Sequence, residues 1–160
     1  MLKRALLLSA VLMLAACGYQ LRGHVSADAL ANKRVVFITQ EPHRPFAKEV
    51  LFLLKRNTQY VEQGRHDWTM RATPVSYSKQ AMGRTQQGIV LQEKIRARVA
   101  VSIMSSSGER VVDSVVLNET RMLDVQNRTG YETQMVELRV EMEEALAAKA
   151  FRLLVDSNDL

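Results

Sequence analysis

Lys94-Ile95-Arg96-Ala97-Arg98-Val99-Ala100-Val101-Ser102-Ile103 carries the clearest alternation in the chain. Ile95, Ala97, Val99, Val101 and Ile103 share one face of an extended strand, while Lys94, Arg96, Arg98 and Ser102 share the other. A period of two is the mark of a half-buried strand, because successive side chains leave opposite sides of the pleat. Ser105-Ser106-Ser107-Gly108 has the composition of a turn, and Val111 to Leu123 returns as a partner strand, so the pair reads as a long hairpin. Placing Ile103 opposite Val111 sets Val99 against Val115 and Ala97 against Leu117, which matches the two inner faces.

Working outward, Trp68, Met70 and Ala72 alternate with Thr69, Arg71 and Thr73, and beyond Pro74 the apolar positions become Val75 and Tyr77. This change of phase at a residue without an N–H predicts either a β-bulge or an edge strand. Met82 to Gly88 reads as a polar turn. Earlier in the chain, Val35-Val36-Phe37-Ile38 is a continuous β-branched and apolar run, the pattern of a strand buried on both faces. Pro45 is well placed to open a helix, in which Phe46, Val50, Leu53 and Leu54 line one side to about Asn57. The last element runs from Tyr131 to about Leu154. Its main stripe is Tyr131, Met135, Leu138, Met142, Leu146 and Leu153; a second line through Val136, Val140, Ala147, Phe151 and Leu154 is either more core or a contact surface.

The order is strand, helix, three strands, helix, without internal repeats. It predicts an α+β fold, a two-layer sandwich in which a mostly antiparallel sheet carries both helices. Residues 33–155 form this single domain, and 156–160 a short C-terminal tail.

The N-terminus has a different character. Met1-Leu2-Lys3-Arg4, then an apolar run to Leu14, then small residues, is the layout of a secretory signal peptide, too short to span a bilayer as a helix. The chain's only cysteine follows at once, and Leu14-Ala15-Ala16-Cys17 resembles the lipobox of bacterial lipoproteins. That resemblance implies cleavage after residue 16, a diacylglyceryl thioether on Cys17 and N-acylation of the new terminus. Several acyl chains on one residue make a firm anchor, where one alone holds weakly. Gly18 stands where an aspartate retains such proteins in the inner membrane, which implies the outer one. The bland alternatives are an ordinary cleaved signal with a chance cysteine, or a buried thiol. Cleavage removes Lys3 and Arg4 and no acid, so the formal charge falls from +5 to +3. So modest an excess specifies no partner, and export makes nucleic acid the least suitable one. With Cys17 lipidated no thiol remains, and the fold stands on packing alone.

Residues 17–32 read as a lipidated tether with a short extended piece. Cys17-Gly18-Tyr19-Gln20-Leu21-Arg22-Gly23 resembles the Cys-Gly-aromatic-polar-Leu-Arg-Gly start of the LPS-assembly lipoprotein LptE family, whose members partner the outer-membrane barrel LptD. The motif is confined to these residues; over the rest of the domain the agreement is one of element order. The resemblance implies a lipid-anchored protein on the periplasmic side of the outer membrane. It would sit as a plug in the barrel, assist barrel assembly and help deliver lipopolysaccharide to the outer leaflet.

Catalytic chemistry finds little support in the chain. His24, His43 and His66 show no metal-ligand spacing, no nucleophile elbow occurs, no phosphate-cradling glycine loop is present, and no cofactor is called for. His66-Asp67 would act as an acid–base pair only if the fold brought a nucleophile to it. The sharper candidate is Lys94, Arg96 and Arg98, spaced about 6 to 7 Å apart on one side of their strand. Such a ladder suits the phosphates of lipopolysaccharide, with Arg84 and Arg128 in flanking turns to extend it; the plain alternative is the solvated face of a half-covered sheet. Two other functions stay open, a lipid-anchored scaffold or pilotin for a different envelope complex and a lipid-anchored periplasmic hydrolase.

Overall fold

The computed structural model describes residues 30–125 and 130–157. The signal peptide and Cys17 with the tether motif, His24, Arg128 and the last three residues lie outside them. Within them the order is β1 (Arg34–Thr39), α1 (Pro45–Asn57), β2 (Gln59–Tyr60), β3 (Trp68–Ala72), β4 (Ser76–Arg84), β5 (Val90–Ser105), β6 (Arg110–Asp124) and α2 (Tyr131–Ser157).

β5 is the organising strand. β6 runs antiparallel along one edge of it, and β4 and β3 lie end to end along the other, at residues 90–98 and 101–105. β1 pairs parallel to both β3 and β2, so the sheet is mixed, with antiparallel pairing dominant. The break between β3 and β4 falls at Pro74, as the phase change predicts. Thr73 closes the gap: its N–H donates to the Ala100 carbonyl at 3.0 Å, and its Oγ1 accepts from the Ala100 N–H at 3.0 Å. The region read as one strand is therefore two, β3 and β4, and β4 continues to Arg84 through bulges around Gly83 instead of turning at Met82.

The hairpin register differs from the expected one. Met104 faces Arg110, but Val101 faces Val115, Val99 faces Leu117 and Ala97 faces Glu119. Two register shifts near the tip each insert one extra residue into β6. A displacement by two preserves which side chains face inward, so the alternation holds while every partner moves along.

Both helices cover one face. Val35, Phe37, Met70, Ile95, Ala97, Val99, Val101 and Ile103 project into it and are buried with Val50 and Leu54 of α1 and Met142, Leu146, Ala150 and Leu154 of α2. Each fully buried Val, Leu, Ile or Met among them contributes about 1.5–3 kcal/mol. Among the described residues no helix lies on the opposite face, which corrects the reading of β1 as buried on both sides: Val36 is shielded, but Ile38 is 44% exposed. The second line on α2 divides likewise. Ala147, Phe151 and Leu154 are core, whereas Val136, nearer the start of the helix, is exposed.

α1 is completed by another element. Pro45 occupies its first turn, Arg44 gives no side-chain cap, and no acidic residue lies in that turn. The missing negative charge comes from Glu143 of α2, which is 2% exposed and accepts the Phe46 N–H at 3.0 Å. The same carboxylate accepts Arg44 Nη2 and the Tyr77 hydroxyl, each at 2.6 Å. Arg44 and Arg139 also lie over the Tyr77 ring, 5.9 and 5.1 Å from its centroid. One buried acid thus ties α2 to α1 and to β4. Burial, and then the Glu143 hydrogen bond, push the Tyr77 phenol well above its ordinary range.

Candidate functional site: the open face of the sheet

The uncovered face is built from the alternate residues of each strand. On β5 these are Lys94, Arg96 and Arg98, as the alternation predicts. Across the ladder Gln80, Ser78 and Ser76 of β4 stand beside them on one side, and Met122, Thr120 and Asn118 of β6 on the other. The flanking rows are uncharged, and among the described residues no ion pair engages Lys94, Arg96 or Arg98. Arg98 is exposed and the other two half-buried. A row of unpaired cations between neutral polar side chains attracts anions, and arginine grips phosphate through two parallel hydrogen bonds.

The remaining sequence candidates are not gathered there. Arg84 ends β4, about 13 Å of strand away from Lys94, and its Nη1 donates to the Gly88 carbonyl at 3.1 Å in its own turn. Arg71, which the sequence reading assigned only to a strand face, joins the open face opposite Ser102. The face is not purely polar. Val116, opposite Ala100, and Met122, opposite Lys94, are 56% and 50% exposed, so apolar side chains stand beside the cationic row. Linking these positions required the strand order, which no local pattern contains.

His66 and Asp67 are occupied separately. Asp67 accepts the Arg34 backbone N–H at 2.8 Å and Arg34 Nη2 at 3.0 Å, and these bonds hold its carboxyl below the usual range. His66 Nδ1 lies 2.8 Å from the Gly64 carbonyl. Ser105 and Ser107 bond each other at the hairpin tip. A cleft of about 450 Å³ opens between Lys33, Trp68, Ser105, Arg110 and Ser157, and His66 does not line it. Among the described residues no group of three potential metal ligands converges, and no helix is long and apolar enough to cross a membrane.

No family model matches the chain, and no curated protein matches it. Solved structures do. Rare lipoprotein B from Shewanella oneidensis superposes with a TM-score of 0.69, covering 77% of this chain and 94% of that one at 14% identity. The fold is that of rare lipoprotein B. A lipoprotein B from Nitrosomonas europaea gives a TM-score of 0.67 at 15% identity, over 86% of this chain and 90% of its own. A minor lipoprotein from Acinetobacter baumannii gives 0.64 at 14%, over 79% and 93%. Rare lipoprotein B belongs to the LptE structural family, so the resemblance carried at the N-terminus by seven residues extends, as fold, through the domain.

Proposed function

We propose that this chain is an outer-membrane lipoprotein of the LptE kind, anchored through Cys17 at the periplasmic side. There it binds the LptD barrel, assists its assembly and helps pass lipopolysaccharide to the outer leaflet. One conjunction carries this reading: the Cys17–Gly23 sequence stands directly before a domain with the rare lipoprotein B fold. Lipid anchoring confines the domain to the membrane that holds the barrel, which raises its effective concentration there and lowers the entropic cost of association. The open face suits an amphipathic anion, with Lys94, Arg96 and Arg98 for phosphates and Val116 and Met122 beside them for apolar groups. The protein's contribution is binding and orientation, with no bond made or broken.

The test is purification of the tagged full-length chain from outer membranes, followed by identification of what comes with it. Recovery of LptD in stoichiometric amount supports the proposal. Recovery of a different envelope complex, with LptD absent, would favour the scaffold or pilotin reading instead.

A further inference from the structure

β4 and β6 border the sheet, and their outer edges are finished differently. The Arg98 carbonyl accepts from Ser76 Oγ at 3.4 Å, and the Ala100 carbonyl from the Thr73 N–H at 3.0 Å, so even-numbered carbonyls of β5 point toward β3 and β4. The Leu91 carbonyl accepts the Val125 N–H at 3.0 Å, so odd-numbered ones point toward β6. Backbone groups alternate sides along an antiparallel ladder. Asn118 and Thr120 therefore turn their N–H and C=O groups to the outer edge of β6, and Tyr77, Lys79 and Ala81 turn theirs to the outer edge of β4.

The β6 edge is blocked. Lys149 of α2 reaches over it, donating to the Asn118 carbonyl at 2.7 Å and to Glu119 at 2.5 Å. Arg121 donates to Glu119 and, at 3.3 Å, to the Thr120 carbonyl. Two acceptors that an incoming strand needs are thus already taken, a common way of closing an edge with charged side chains. β4 has no such cover. Among the described residues no strand pairs with its outer edge and no side chain bonds the carbonyls of Tyr77, Lys79 or Ala81.

The chemistry beside this edge selects the occupant. An added strand would lie about 4.8 Å beyond β4. Between it and Arg98 and Arg96 stand only Ser76 and Ser78, short enough for a guanidinium to pass over. A second copy pairing through its own β4 would set Ser76, Ser78 and Gln80 beside the edge on this face, none of them acidic, and so would offer Arg96 and Arg98 no counter-charge. We propose that the outer edge of β4 adds an extended segment of a partner protein, with acidic side chains on the open-face side meeting Arg96 and Arg98. The site is independent of which protein supplies the segment. Lipid phosphates would compete for the same arginines but would leave the edge amides untouched.

The experiment uses the full chain and a short synthetic peptide alternating threonine and glutamate, with residue-resolved amide exchange. On saturation, exchange at Tyr77, Lys79 and Ala81 slows at least about ten-fold, equivalent to about 1.4 kcal/mol, while β6 is unchanged. N-methylating the peptide on its pairing side weakens binding by a similar factor with the protein unaltered. Ala81→Pro does the same, since the N–H it removes faces outward. Absence of binding, equal affinity of the N-methylated peptide, or protection at β6 would overturn the proposal. So would β4 amides already protected in the free monomer, which would make the chain's own N-terminal segment the occupant, or protection that grows with protein concentration, which would make it a second copy.

Discussion

Replacing Glu143 by alanine removes the acceptor for three donors on two other elements. Phe46 N–H lies 3.0 Å away, and Arg44 Nη2 and the Tyr77 hydroxyl 2.6 Å. The Phe46 amide is left buried without a partner, at about 1–3 kcal/mol. Arg44 is 41% exposed and regains water, so its share is small. Tyr77 is half-buried and loses a charge-assisted bond, about 1.5 kcal/mol. With the space left behind, the expected loss is about 3–5 kcal/mol, or roughly 10–20 °C in Tm for a domain of this size. Urea denaturation followed by circular dichroism measures it. Glu143→Gln keeps an acceptor but no charge and should fall about midway. Tyr77→Phe, combined with Glu143→Ala, should show a coupling of about 1 kcal/mol in a double-mutant cycle. A loss below about 1 kcal/mol for Glu143→Ala, or no coupling, would refute the view that this acid ties the two helices and β4 together.

Three further outcomes follow from the charges. Glu119 is held below the ordinary carboxylate range, first by its hydrogen bond to Lys149; a folded pKa lower than the unfolded one gives stability that is present above the unfolded value and lost as pH falls through the folded one. Lys149→Met should reduce that acid-side loss in urea titrations run between pH 5 and pH 2. Tyr77 has the opposite sign: its pKa is raised on folding, so its contribution is whole below the ordinary phenol value of about 10 and is lost as pH rises through the folded one. Tyr77→Phe should remove that part of the alkaline destabilisation. Reversing charge at Arg96 and Arg98 together should weaken binding to lipopolysaccharide at least about ten-fold with an unchanged melting curve, measured by titration of the purified domain. Unchanged binding would return the row to a solvated sheet face.

What the sequence made legible follows from how local each feature is. The alternation from Lys94 to Ile103 gave the inner and outer faces of β5, and Pro45 with Phe46, Val50 and Leu54 gave α1 to its last residue. Both are patterns within one element. The hairpin register is not legible because the two extra residues near the tip of β6 fall where no glycine or proline marks them. Ile38 was misjudged because an apolar run does not say how many faces are covered. Glu143 was invisible for a related reason. In Glu141-Met142-Glu143-Glu144 it looks like one more solvated acid, and only the arrival of Arg44, Phe46 and Tyr77 makes it a buried link. The open face was half legible: the cationic row lies within β5, but its neighbours Ser76, Ser78, Asn118 and Thr120 come from two other strands whose placement depends on the register.

A lipidated domain with this fold is proposed to serve the lipopolysaccharide export barrel. The decisive measurement is controlled depletion of the chain from the cell that makes it, with LptD in the outer membrane and lipopolysaccharide at the surface followed over time. Correctly assembled LptD should decline, and surface lipopolysaccharide should fall with it. Normal levels of assembled LptD after full depletion would contradict that role.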